Sequence, residues 1–211
     1  MAPVDPPRKI VLSLCDRTGV MVQPWLDAGF ECWIVDLQHT FGIRKDGLLT
    51  KVGVDIARTK MSFPNRLITF AFPPCTHLAN SGNRYKRDKG LEALYEALGL
   101  VIACKAICEA SDAPWMLENP VGSLSTYWRE PDMTFQPWEF TTPKEKKRTC
   151  IWAGNNFVLP QREVFTEPED VHESVWKMPP TEDRGDKRAV TPEGWARAVF
   201  QANEPWVREY A

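Results

Sequence analysis

Short apolar runs recur along the chain, each stopped by a polar turn or a proline. Residues 10–14, 32–35, 67–71, 115–117 and 149–153 are almost continuously apolar rather than alternating, which predicts strands covered on both faces. Helical spacing lies between and after them. A stretch from the first turn to about Ala28 ends at Gly29, a natural C-cap, with Pro24 in its first turn or at a kink. Residues 90–110 form the longest predicted helix, with Leu91, Leu94, Leu98, Val101, Ile102 and Cys108 as a wide apolar face. A last helix starts with Thr191 as N-cap and Pro192 at its first position, and Trp195, Val199 and Ala202 repeat at helical spacing. Strands alternating with helices predict an α/β fold with a mostly parallel sheet flanked by helices.

The organisation is that of a single domain over residues 1–211, with a Pro-rich arm at 1–9 and an irregular polar segment at 156–188. With 43% hydrophobic and 26% charged residues, composition excludes disorder and low complexity. No apolar run reaches the roughly 18 to 20 residues of a membrane span, and the first residues lack a signal-peptide core, so a cytoplasmic location and no membrane partner are expected. Net charge is −2, so the global field does not gather DNA, and any nucleic acid must be held by a local basic patch. Nine Trp and 18 Pro point to ordered loops pinned by aromatic packing.

Six cysteines, at 15, 32, 75, 104, 108 and 150, are scattered through apolar stretches, as reduced buried thiols are. Cys75-x-His77 with Cys104 and Cys108 offers four ligands on paper, but the spacing is not that of a zinc site, and no metal is expected.

Three strand ends carry candidate chemistry. In an open α/β sheet the ligand lies beyond the carboxyl ends of the strands. The turn Cys15-Asp16-Arg17-Thr18-Gly19 follows the first strand, and Asp36 ends the second, placed to accept hydrogen bonds from a ribose diol. Pro73-Pro74 forces a rigid exit from the strand at 67–71 and delivers Cys75 to the edge, where a thiol can act as a nucleophile. Glu118, at the end of the strand at 115–117, projects toward the same crevice, and a buried Glu with a raised pKa can give or share a proton near neutral pH.

A Pro-Pro-Cys after one strand and a Glu-Asn after the next resemble the signature pair of the cytosine-C5 DNA methyltransferase family. Leu12-Ser13-Leu14 with Gly19 resembles that family's S-adenosylmethionine turn, and Asp36 its ribose-binding acid. Residues 52–56 resemble its adenine segment, Lys147-Arg148-Thr149 its basic strand, and residues 188–192 its closing cofactor motif. The resemblance implies a Rossmann-like domain that binds S-adenosylmethionine through Leu14, Asp16, Thr18, Gly19, Asp36, Asp55 and Pro73. It implies Cys75 as the nucleophile at cytosine C6, Glu118 on the N3 and amino edge, and Arg148 stabilising developing charge. Substrate contacts fall to Pro74, Thr76, Ser81 and Asn119, with Arg84, Lys86 and Lys89 in the basic run after Cys75.

The chain departs from that family in three places. Its glycine-rich turn is reduced to Asp16-Arg17-Thr18-Gly19, and its basic motif reads Lys147-Arg148. Residues 149–190, 42 in all, separate Arg148 from Thr191, where the family inserts a large target-recognition domain. The expected substrate is therefore DNA read with low specificity or with a helper protein, or a free pyrimidine nucleotide such as dCMP whose phosphate Arg84, Lys86, Arg87 and Lys89 would hold. A catalytically silent binding relative is the third reading. The size resembles small phage-borne relatives, and a homo-oligomer stays open. The chain does not carry the pattern of the zinc-dependent cytosine deaminases, since position 78 is Leu and no His-x-Glu occurs.

Overall fold

The computed structural model describes residues 9–63, 65–80, 86–172 and 189–209, and of residues 86, 87 and 89 the backbone alone. Eight strands form one sheet: β1 (Ile10–Leu14), β2 (Cys32–Val35), β3 (Gly42–Asp46), β4 (Leu49–Gly53), β5 (Arg66–Ala71), β6 (Trp115–Pro120), β7 (Met133–Phe135) and β8 (Thr149–Gly154). Their spatial order is β3-β4-β2-β1-β5-β6-β8-β7. The five strands β4, β2, β1, β5 and β6 run parallel, whereas β3, β8 and β7 join through antiparallel pairs. The chain winds outward from β1 in both directions, so the sheet is doubly wound and Rossmann-like, with its switch point between β1 and β5.

The predicted strands appear where continuous burial demands them. Every residue of β1 and β5 is buried, because helices cover both faces of the sheet centre. On one face, α1 (Gln23–Asp27) and α4 (Glu193–Glu209) enclose a core of Trp25, Ile34, Phe70, Trp195 and Val199. Phe135 stacks on Trp195 at 4.2 Å, which joins β7 to α4. On the other face, α2 (Lys86–Glu109) covers Leu12, Leu14, Leu117 and Trp152 through Val101, Cys104 and Cys108. The short α3 (Leu124–Tyr127) follows β6. Among the described residues no helix is long and apolar enough to cross a membrane.

Several boundaries differ from the sequence expectation. A 3-10 turn, Val20–Val22, precedes α1, whose second residue is Pro24, and Gly29 ends the element at φ 88°. Gly90, at φ 80° and ψ 179°, is a non-helical break in α2: residues 86–89 form a short piece before it, and the long helix expected over 90–110 follows it. The predicted apolar face is narrower than its spacing suggested: Leu91 is 75% and Ile102 65% exposed, because only the side carrying Val101, Cys104 and Cys108 meets the sheet. α4 begins at Glu193, and the Pro192 carbonyl accepts the first helical N–H from Ala196 at 3.0 Å. β6 runs three residues past the apolar run at 115–117 and ends at Pro120. The β3–β4 hairpin and β7 lacked a continuous apolar run: β3 is exposed at four of its five positions. Residues 1–8 of the N-terminal arm and residues 173–188 of the irregular segment lie outside the described residues.

Candidate functional site

The crevice at the carboxyl edge begins with the turn after β1. Cys15 adopts φ 53° and Gly19 φ 75°, and between them Asp16 is buried. One Asp16 carboxylate oxygen accepts the Thr18 and Gly19 N–H groups at 3.1 and 2.7 Å. The other accepts the Ser13 hydroxyl at 2.8 Å. The Val20 N–H is taken by Thr18 Oγ1 at 3.3 Å. This turn is therefore held rigid by its own side chains, and these three N–H groups are not left over as a phosphate nest. Leu14 buries its side chain in the core and presents only backbone, its carbonyl accepting the Phe72 N–H at 2.9 Å.

Asp36 follows β2 and Asp55 lies two residues beyond β4, so both acids reach the edge beside the turn. Asp36 accepts the Gln38 N–H at 2.7 Å, and burial raises its pKa against the lowering effects of that bond, His39 and Arg17. Asp55 accepts the Ala57 N–H at 2.9 Å and pairs with Arg58 at 3.5 Å. His39 Nε2 contacts the Asp16 carbonyl at 3.1 Å, which ties the β2 loop to the turn after β1.

Across the switch point, β5 stops at Ala71 and Pro73-Pro74 leads to Cys75, which is half-buried between exposed Pro74 and Thr76. The Cys75 carbonyl accepts both the Leu78 and Ala79 N–H groups at 2.9 Å, making one tight turn. That turn is docked on the chain leaving β6. Asn80 N–H bonds the Val121 carbonyl at 3.0 Å, and Ser123 N–H bonds that of Leu78 at 2.9 Å. A Cβ at Gly122 would fall well inside van der Waals contact of the Leu78 carbonyl oxygen, so only glycine permits this approach. From β6, buried Asn119 donates its Nδ2 to the Pro73 carbonyl at 2.8 Å, fixing the proline exit directly.

Glu118 sits one position past the last β5–β6 pair, Ala71 with Leu117. Its Oε1 is buried without a hydrogen-bond partner among the described residues, and burial raises its pKa, with Lys147 pulling the other way. Asn119 Oδ1 and His77 Nδ1 are likewise buried and unpartnered. Because β8 is antiparallel to β6, with Pro120 opposite Thr149, Arg148 enters the sheet at the same carboxyl edge. Cys75, Glu118 and Arg148 thus come from the ends of three neighbouring strands. Lys86 and Lys89 lie at the start of α2, with only their backbone described, and Ser81 and Arg84 lie outside the described residues.

Sequence reasoning missed a cavity of about 640 Å³ between the turn after β1, α1 and α4. Thr18, Gly19, Gln23, Asp27, Glu193 and Arg197 line it. Its size falls in the usual range for small-molecule sites. The polar positions at the start of α4, just after the segment 188–192, were its only sequence signal.

The edge defines the class: a doubly wound α/β protein with a crevice at the carboxyl ends of its parallel strands. No protein-family model matches the chain, and no curated protein does. Among solved structures it is similar to the glycopeptide N-methyltransferase MtfA complexed with S-adenosylhomocysteine, at TM-score 0.32 and 14% identity over 78% of this chain and 65% of that one. The MtfA complex with S-adenosylmethionine aligns at TM-score 0.29 and 16% identity, covering 79% of this chain and 68% of that one. At these scores the likeness is loose, and the functional reading rests on the chain's own topology and side chains.

Proposed function

We propose that this chain is an S-adenosylmethionine-dependent methyltransferase acting at C5 of cytosine in DNA, through a covalent Cys75 adduct at C6. The observation that carries the reading is that Cys75, Glu118 and Arg148 follow or enter the ends of three neighbouring strands at one sheet edge, with a Glu118 oxygen left without a partner among the described residues. A buried polar atom without a partner costs about 1–3 kcal/mol, and the amino group or N3 of a cytosine ring supplies what Glu118 lacks.

The residues on the other side of the switch point fit S-adenosylmethionine. Its nucleoside carries no phosphate, and the turn after β1 has already spent the Thr18, Gly19 and Val20 N–H groups internally. Asp36 would hold the ribose diol, Asp55 the adenine side, and the polar cavity by Arg197 and Glu193 the charged amino-acid end. When bound, this group supplies an electrophilic methyl group.

The chain's own residues do the rest. The Cys75 thiolate adds to C6, and the C5=C6 electron pair shifts so that C5 becomes enamine-like. Glu118, whose pKa burial raises, would donate a proton to N3 as the electron pair shifts onto that nitrogen. Arg148 and Lys147 add positive charge at the same edge. After methylation the C5 proton passes to a water molecule, the electron pair re-forms C5=C6 and expels Cys75 as thiolate, and the N3 proton returns to Glu118. A cytosine in a duplex must leave the stack to reach Cys75.

The test is transfer of a labelled methyl group to duplex DNA, single-stranded DNA and dCMP, with Cys75→Ala as control. Label in DNA that disappears in the variant supports the proposal. Label in dCMP alone keeps the chemistry and changes the substrate. Binding of S-adenosylmethionine with no label in any acceptor supports a silent relative, and no binding at all removes the cofactor assignment.

A further inference from the structure

The hairpin β3–β4 carries a charge arrangement that the sheet itself does not need. Arg44 and Lys51 stand directly opposite each other in the ladder, both exposed. Neither is paired with a carboxylate among the described residues. Like charges facing across a strand pair repel. Lys51 is also in register with Ile34, whose side chain belongs to the core under α1 and α4, so the two cations share that face of the sheet. The neighbouring cations are occupied: Lys45, on the opposite face, pairs with Glu31 at 3.0 Å, and Arg58 pairs with Asp55. Phe41, bridged to Gly53 just before β3, is 85% exposed beside them. Residues 37–60 hold five Lys and Arg against two Asp, in a chain of net charge −2. A lysine on an edge strand discourages edge pairing, but that purpose does not require Arg44 set against Lys51.

We propose that this face of the hairpin is a docking surface for the phosphate backbone of DNA, with Arg44 and Lys51 each neutralising one phosphate. The inference rests on the DNA-methyltransferase reading and deepens it, by naming what grips the nucleic acid in a chain with little sequence between Arg148 and Thr191. The hairpin's outer strand β3, which carries Arg44, lies four strand positions from β5, and β4 three. At about 4.8 Å per strand the distance to β3 is roughly 19 Å, or about five to six nucleotides of one strand at 3.4 Å each. The surface therefore holds the flank of the target, away from the reacting base.

The test is a salt titration of binding to a duplex of about 20 base pairs, followed by fluorescence anisotropy on the full chain. The proteins are wild type, the double variant Arg44→Ala/Lys51→Ala, and Lys45→Ala from the opposite face. Methyl transfer to the duplex and to dCMP is measured in parallel. The double variant is expected to flatten the log–log salt slope by about 1.8, from 0.9 per phosphate contact. Lys45→Ala should leave the slope unchanged, and transfer to dCMP should be the same in all three. Relief of the cation pair should leave the unfolding midpoint of the double variant at or above that of wild type. An unchanged slope in the double variant, or no duplex binding by wild type at about 50 mM salt, overturns the proposal. The two readings separate cleanly: a flattened slope with no acceptor methylated leaves the surface standing and removes the methyltransferase. Methylated dCMP without DNA binding does the reverse.

Discussion

The two halves of the carboxyl edge are built on opposite rules. On the β1–β2–β4 side the acids are already engaged: Asp16 holds Ser13, Thr18 and Gly19, Asp36 holds Gln38, and Asp55 holds Ala57. On the β5–β6 side, Glu118 Oε1, Asn119 Oδ1 and His77 Nδ1 are buried with no partner among the described residues. The first half spends its polar groups on its own geometry and offers a rigid frame. The second half keeps polar atoms without a partner among the described residues, a cost that a bound ligand would relieve. Substitutions should therefore separate them: changes in the frame lower stability, whereas changes among the unpartnered groups lower activity and spare stability.

The largest effect tests the second half at its centre. Cys75→Ala should reduce methyl transfer to background while the thermal midpoint stays within about 1 °C, since a half-buried thiol on an edge turn contributes little packing. Residual transfer above background would remove Cys75 from the chemistry. Gly122→Ala comes next. Its methyl group cannot fit against the Leu78 carbonyl, so the Cys75 turn must lift from the chain after β6. A loss of about 1–3 kcal/mol in denaturant unfolding is expected, with kcat reduced at least about tenfold for each 1.4 kcal/mol of lost positioning.

Asp16→Ala tests the frame. It strips one hydroxyl and two N–H groups of their acceptor and should destabilise by about 2 kcal/mol. Isothermal titration should then show weaker S-adenosylmethionine binding, with transfer at saturating cofactor close to wild type. A variant as stable as wild type would contradict the contrast between the halves. The smallest effect is the most diagnostic. Glu118 has its folded-state pKa raised, so its favourable contribution is full below the ordinary value of 4.5 and is lost as pH rises through the raised folded value. Glu118→Gln should therefore gain up to about 1 kcal/mol at pH 8 relative to wild type, and that gain should vanish toward pH 4. Transfer should fall in the same variant, along with the high-pH limb of its pH profile. Stability curves that stay parallel across pH would show that Glu118 does not titrate as its burial dictates.

Much of this was legible in the chain because burial on both faces leaves a local mark. The runs at β1, β2, β5, β6 and β8 contain little but apolar residues, and Pro73-Pro74 announces a strand exit wherever it occurs. Other parts left no such mark. The β3–β4 hairpin is half exposed and charged, so its strands have no apolar run, and its register follows from the turn at Gly47 and pairing with β2. The spacing of Leu91 and Ile102 is helical, yet periodicity along one helix cannot say how wide a face its neighbour covers.

By itself the sequence determined which residues could do chemistry and that Cys75 and Glu118 would end neighbouring buried strands. The family resemblance alone groups Arg148 with them, and only the tertiary structure shows how it reaches that edge. Its approach depends on β8 running antiparallel beside β6, a pairing between segments some thirty residues apart. The seating of the Cys75 turn on Gly122 is of the same kind. Local patterns report what each segment buries, whereas the partner it buries against is settled by long-range pairing, which becomes favourable only when the whole sheet closes.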